Sequence, residues 1–533
     1  MQFRYSYLIY SLIILLVLES CARRGRPTGG EKDKDAPIMV TATPDHETTN
    51  FTSEKIRINF DEYIKLKDIN KQLVISPPME HQPIITPVGT ASLFINIKIL
   101  DTLKENTTYT FNFGNSVEDN NEGNPLEQFK YVFSTGNYID SLTISGKVSD
   151  AFNKDPDDGL SLLLYEVTKD YTDSIIYKQR PNYIANTLDS VGYEVTNLKS
   201  GKYLLIALND FSNNNKFDPK QDKIGFYPDF INLPTDSVYN ISLFKEELPY
   251  KLMRAAEVKQ GHIFFGYEGN PQGIKIEPLE TVSKDFKSTL VFEKNIDSVS
   301  YWYTPSKLDS ILFKVSTKNK IDTVTVKLRS KEIDSLVVSS VARNNLSLRD
   351  TFAIATNIPI QKIDKSKISL IDKDSINVNF TTSLDASKMK LKLNFDKKFD
   401  TNYQFRFLPN AIEDLFGNIN DTLNFSARTK HPDDYGNINL TLTNVESFPI
   451  IIDLIDDKNE IVEQVYATEN QLFKFKNLDP KNYSFRVIFD VNKNGKWDSG
   501  NFLLRTNPEK IKYYDKVIEI RANWDLNEPF NLK

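Results

Sequence analysis

The sharpest chemical signal in the chain is a run of evenly spaced donors, Asp490, Asn492, Asn494, Lys496 and Asp498, in the segment DVNKNGKWD. Side-chain oxygens stand at positions 1, 3, 5 and 9, with Gly495 at position 6 for a sharp turn and the Lys496 backbone carbonyl at position 7. That is the oxygen set that hard Ca²⁺ takes from a single loop. Asn501 occupies position 12, where such a loop carries a bidentate glutamate, so the expected affinity is weak, with Kd about 10⁻⁴–10⁻³ M. A weaker copy lies upstream at Asp210, Ser212, Asn214, Lys216 and Asp218, with Asn215 in the glycine position. The same letters also describe an Asp/Asn turn held by side-chain-to-backbone hydrogen bonds. An ion in either loop would be structural, since the loop fills every ligand position.

Catalytic signatures are scarce. The four histidines, His46, His81, His262 and His431, show neither an HExxH pattern nor an i, i+4 pair, and no GxSxG elbow or phosphate-binding glycine loop occurs. The carboxylate pairs Asp157-Asp158 and Asp456-Asp457 sit among turn residues and read as solvated loops. The chain is therefore expected not to be an enzyme. Its 533 residues carry 66 Lys and Arg against 72 Asp and Glu, a net charge of −6 with no basic block, which excludes nucleic acid as a natural partner. A 40% hydrophobic content supports packed cores, and the length suggests roughly three to five domains. One cysteine excludes a disulfide framework and a thiolate zinc cluster.

The elements that position these residues recur. Tyr109-Thr-Phe111-Asn-Phe113, then Asp119, Gly123-Asn124 and Phe133-Ser134-Thr135, is answered by Tyr403-Gln-Phe405-Arg-Phe407, then Asp414, Gly417-Asn418 and Phe425-Ser426-Ala427. Each member reads as an alternating strand, a loop able to take left-handed backbone angles, and a second alternating strand. The pattern resembles the bacterial Ig-like domain of the type found in surface-layer proteins. A second pair aligns without a gap: Asn197-Leu198 through Tyr203, Leu205, Ala207 and Asp210 against Asn477-Leu478 through Tyr483, Phe485, Val487 and Asp490. It resembles the transthyretin-like, carboxypeptidase-regulatory class of sandwich. Long helical periodicity is absent after the first twenty residues, so the expected fold is all-β, a tandem array of β-sandwich domains. The reading places Ig-like domains at 38–137 and 346–430, transthyretin-like sandwiches at 140–250 and 435–533, and a middle β domain at 251–345.

At the N-terminus, Arg4 precedes an apolar stretch, Leu8 to Leu18, too short to span a bilayer and suited to a signal peptide over 1–20. The sequence Leu18-Glu19-Ser20-Cys21 resembles a bacterial lipobox, which implies that Cys21 is the acylated first residue of the mature protein. Residues 21–37, rich in Gly, Pro and charge, read as a flexible tether. Asp followed by Ser or Thr and an aliphatic residue recurs along the chain and resembles the O-glycosylation acceptor of Bacteroidota, with Ser141, Ser298 and Thr323 as candidate sites. Taken together, these resemblances imply a Bacteroidota outer-membrane lipoprotein, lipid-anchored, with the cell surface favoured over the periplasmic face. Its expected role is a structural or protein-binding accessory subunit beside an integral β-barrel, in barrel-assembly or transport machinery. The alternative is a carbohydrate-binding surface lipoprotein, with Trp302 and Trp497 as aromatic platforms for a glycan.

Overall fold

The computed structural model describes residues 32–187, 191–279, 285–294, 296–305, 308–341 and 345–533. The signal segment and Cys21 lie outside them. Strands form where apolar and polar residues alternate, as in Lys55–Leu66, whose Ile56, Ile58 and Phe60 are buried while Lys55, Arg57 and Asp61 face water. The chain is a tandem array of β-sandwiches. Among the described residues, five pairs of facing sheets each enclose their own apolar cluster. Among the described residues the only α-helices are the four-residue turns Ile69–Gln72 and Ile175–Lys178.

The first and fourth sandwiches share one topology. In the first, Met39–Thr43, Lys55–Leu66, Ser92–Lys98 and Ile84–Thr86 lie side by side and face Val74–Ser76, Thr108–Gly114 and Phe129–Ser134. In the fourth, Val338–Ser340, Phe352–Thr356, Lys390–Asn394 and Thr381–Leu384 face Ile368–Ile371, Asn402–Phe407 and Leu423–Arg428. The Asp…Gly-Asn loops make short strands in both, Val117–Asp119 on Lys55–Leu66 and Ile412–Asp414 on Ile360–Ile363. Asp119 accepts the backbone N–H groups of Asn121, Glu122 and Asn124 at 2.7, 2.7 and 2.8 Å. Asp414 does the same for Phe416 and Asn418, both at 2.9 Å. A buried carboxylate thus replaces the strand ladder where each chain turns.

The second and fifth sandwiches share another topology. Tyr183–Asn186, Ser161–Glu166, Gly201–Asn209 and Lys223–Phe226 correspond in order to Ile461–Ala467, Ile450–Asp456, Asn482–Phe489 and Ile511–Tyr513. The opposing sheets pair their first and last strands in parallel, Leu142–Asp150 with Ile241–Leu243 and Gly436–Thr443 with Asp525–Asn531. Asn197 and Asn477 take matching left-handed φ values of 59° and 55°. The copies differ by reciprocal insertions. Residues 167–182 stand in the second sandwich where the fifth has only 457–460, and residues 490–510 stand in the fifth where the second has only 210–222.

Neighbouring sandwiches touch along the chain. Between the third and fourth, Val291, Trp302, Ile358 and Leu415 form a small apolar cluster. Between the fourth and fifth, Arg349 pairs with Glu463, and Lys430 with Asp479 at 2.7 Å. The fifth then packs back on the second, which closes sandwiches two to five into one circuit of contacts.

Candidate functional site

The loop that begins at Asp490 leaves the end of strand Asn482–Phe489 with its first carboxylate 1% exposed. Asp490 accepts the N–H of Asn494 at 3.0 Å and of Gly495 at 2.8 Å, and Gly495 has φ 77°, which a side chain would strain. Asn492 and Asn494 send their amide nitrogens to Asp498 Oδ2 at 2.6 and 2.5 Å, and Lys496 Nζ lies 3.2 Å from Asp498 Oδ1. Burial pushes the Asp498 carboxyl up, but hydrogen bonds from Asn492, Lys496 and Asn494 outweigh it and hold the group below its ordinary value.

Sequence reasoning missed the residue that closes this loop. Glu509 Oε1 accepts the Val491 N–H at 2.7 Å and Oε2 accepts the Asp498 N–H at 3.2 Å, while its backbone oxygen takes the Trp497 indole N–H at 2.9 Å. Burial raises the Glu509 carboxyl above its ordinary value despite these bonds. The spacing rule pointed to Asn501, and the insertion between Asp498 and Glu509 hid the true closing carboxylate. Among the described residues no three His, Cys, Asp or Glu side chains gather as a metal cluster. A cation must therefore draw on the asparagine amides and the Lys496 carbonyl as well. A half-turn of the Asn492 and Asn494 amides exchanges nitrogen for oxygen, so the donor chemistry fits Ca²⁺.

The upstream loop is built alike. Asp210 Oδ2 accepts the Asn215 N–H at 2.6 Å, and its other carboxylate oxygen is buried without a partner. Asp222, 1% exposed, accepts the N–H of Phe211 at 3.0 Å and of Asp218 at 2.7 Å, in the place that Glu509 takes in the later copy. Burial raises the Asp210 carboxyl.

The Asp490 loop leads into the contact between the second and fifth sandwiches. Residues 499–507 form a finger closed by a bridge between Asn501 and Thr506, whose N–H groups donate to each other's carbonyls at 2.8 and 3.0 Å. At its base, a Cβ on Gly500 would meet Phe244 Cζ at 2.6 Å, so only glycine allows the approach. Phe502, with no exposed surface, enters the outer core of the second sandwich among Leu163, Tyr165, Ile206, Phe226 and Phe244. Its N–H donates to Glu246 Oε1 at 2.6 Å, and Ser499 Oγ donates to the Lys245 carbonyl at 2.5 Å. The Arg505 guanidinium stands 4.3 Å from the Phe502 ring centroid, 5.7 Å from Phe226 and 5.8 Å from Phe230. It pairs with Asp173 and meets Tyr171 Oη at 3.2 Å. The uninterrupted apolar runs Leu162–Tyr165 and Leu204–Leu208 were the available signal, because strands buried on one face alternate and these do not.

The remaining candidates resolve into packing. Trp302 is 5% exposed and stacks on His262 at 4.1 Å, so it is a wall between two sandwiches and not a glycan platform. Trp497 packs on Phe152 of the second sandwich at 4.9 Å. His262 Nε2 lies 2.9 Å from Ser300 Oγ, which donates to Glu293 at 2.5 Å. The serine stands between the two groups with its proton on the glutamate side, and at 2% exposure it meets no substrate. His81 is exposed beside Asp101 at 2.7 Å, His46 accepts the distant Val132 N–H at 3.2 Å, His431 holds a local turn, and Asp157 and Asp456 are paired to Lys223 and Lys481. Of the glycosylation candidates, Ser141 and Thr323 are exposed. Ser298 has no exposed surface and belongs to the core strand Ser298–Tyr303, which corrects its reading as an acceptor.

No helix among the described residues is long and apolar enough to cross a membrane, and no curated protein matches the chain. Among solved structures it is similar to the surface-layer protein SbsC, at 14% identity over 92% of this chain and 68% of that one, with a TM-score of 0.14. Others are the tandem Ig repeats of Dlar (11%, 34% and 99%, TM-score 0.14) and BcpA*, the major pilin subunit of Bacillus cereus (12%, 73% and 99%, TM-score 0.14). Residues 33–135, which contain the first sandwich, match the family of the bacterial Ig-like domain.

Proposed function

We propose that this chain is a lipid-anchored accessory protein of an outer membrane, a scaffold that holds sandwich surfaces beside an integral β-barrel partner. The observation that carries the reading is the placement of the only cysteine, Cys21, behind a short apolar segment and a charged tether that leads into the Ig-like match. Two or three acyl chains on that cysteine, at about 0.8 kcal/mol per buried CH₂, hold a protein on a bilayer durably. Behind the anchor and its tether, the first sandwich meets the second through Thr108 and Asp140 at 2.7 Å and through Ile184 and Ser76 at 3.1 Å. Ca²⁺ in the Asp490 loop serves as a structural ion near the contact that closes the circuit, with the Asp210 loop as a weaker copy.

Cys21→Ala should yield an unacylated chain that leaves the membrane fraction, and detergent extraction of the native chain should co-purify a β-barrel protein. Unchanged membrane association of the Cys21→Ala chain would overturn the anchoring. Recovery of the native chain alone from gently solubilised membranes would overturn the accessory role.

A further inference from the structure

The duplicated sandwiches carry insertions that meet each other. The extra 167–182 segment of the second supplies Tyr171 and Asp173, and the longer 490–510 segment of the fifth supplies Phe502 and Arg505. Each would leave the other's surface incomplete: without the finger, the apolar outer face around Tyr165, Phe226 and Phe244 is uncovered, and Asp173 loses its cation. We propose that the second sandwich bears a peptide-binding pocket that reads a phenylalanine and a guanidinium three residues apart, and that the chain's own Phe502–Arg505 finger fills it in cis to lock sandwiches two to five into a closed circuit.

Three features of the pocket select that ligand. A ring slot takes the phenylalanine with complete burial. The Glu246 carboxylate, 9% exposed, takes the N–H of the same residue and so fixes the finger's depth. Phe226, Phe230 and Phe502 flank a planar cation whose charge Asp173 answers, an arrangement that suits arginine better than lysine. Because the third and fourth sandwiches tether the finger near its pocket, its effective concentration is high and the intramolecular contact wins over one between two chains.

The test uses the full chain carrying Cys21→Ser, with Lys245→Cys and Ser499→Cys introduced as the only thiols and a short thiol cross-linker as reporter. Intramolecular cross-linking should be fast in this background. It should fall at least about tenfold in Arg505→Glu and in Asp173→Arg, and stay within a few-fold in Arg505→Lys, which keeps a cation beside Asp173. Circular dichroism of each variant checks that the sandwiches remain folded. A second measurement adds a labelled cyclic peptide with the sequence of residues 498–507. It should bind a Phe502→Ala/Arg505→Ala chain at least about tenfold more tightly than the unaltered chain, whose pocket is filled. Cross-linking indifferent to either charge reversal, Arg505→Lys falling as far as Arg505→Glu, cross-links that join two chains in dilute solution, or equal peptide binding to both chains would each overturn the proposal.

Discussion

Arg486 donates through Nε to Asp453 Oδ2 at 2.6 Å, both side chains buried, while the Arg486 guanidinium lies 4.8 Å from the ring centroid of Phe152 in another sandwich. One side chain therefore joins the outer face of the fifth sandwich to the second. Removing one partner of such a pair strands a charge in the interior. Asp453→Asn and Arg486→Met should each lower stability by about 3–5 kcal/mol, whereas Asp453→Leu combined with Arg486→Met should recover most of the loss. Chemical denaturation of the three variants checks the cycle. Additive losses in the double variant would contradict it.

The acidic loops make a calcium prediction. At about 1 mM, Ca²⁺ should stabilise the chain by RT ln(1 + [L]/Kd), about 0.4–1.4 kcal/mol for Kd of roughly 1 to 0.1 mM. Asp490→Ala should abolish most of the gain, and Glu509→Gln should reduce it. Thermal melts after chelation, with and without added Ca²⁺, read the effect. Melting unchanged up to about ten millimolar would leave the loop as a hydrogen-bonded turn.

Trp302 predicts a packing defect. Trp302→Ala should cost about 3–5 kcal/mol and loosen the third sandwich from the fourth, since it removes the ring lying between His262 and Phe416. Calorimetry should show one transition splitting or shifting downward. Glycan binding lost from a variant of unchanged stability would reverse the assignment.

Asp119 sets a pH dependence. Burial pushes its carboxyl up, but backbone N–H groups of Asn124, Glu122 and Asn121 outweigh this and hold it below its ordinary value. A lowered native pKa contributes stability that is present above the ordinary carboxylate range and is lost as pH falls through the native value. Asp119→Ala should therefore cost about 1–3 kcal/mol near neutral pH, and the gap to the unaltered chain should shrink below about pH 4. Glu246 and Glu509, raised by burial, act in the opposite sense, with the native state favoured as they take up protons. Denaturation midpoints across pH 3 to 7 separate the two behaviours, an experimental range of about four units.

Much of this was written locally in the sequence. The turn Asn197-Leu198 and its partner Asn477-Leu478 lead into corresponding strands because both asparagines accept the same left-handed backbone, a short-range property that letters reveal. The alternating Tyr109–Phe113 and Tyr403–Phe407 likewise became paired core strands. What stayed hidden depends on contacts far apart in the chain. Nothing near Phe502 announces a pocket whose wall begins at Leu163, and Glu509 closes its loop from beyond an insertion. Trp302 and Trp497 were legible as aromatic residues, but the faces they cover belong to other sandwiches. Ser298 shows the same limit, since its motif is local and its burial is not.

The parallel pairing of first and last strands has a mechanical consequence. In the fifth sandwich Gly436–Thr443 and Asp525–Asn531 run side by side over seven facing pairs, Asn437 with Asp525 through Thr443 with Asn531. Tension drawn along the chain through that sandwich pulls the two strands past each other, so their hydrogen bonds share the load in shear and do not open one at a time. The second sandwich has a shorter clamp, Ile241–Leu243 against Val148–Asp150 with one further bridge from Ser145 to Val238, and should yield first. Its closure onto the fifth gives force an alternative route that bypasses the weaker clamp.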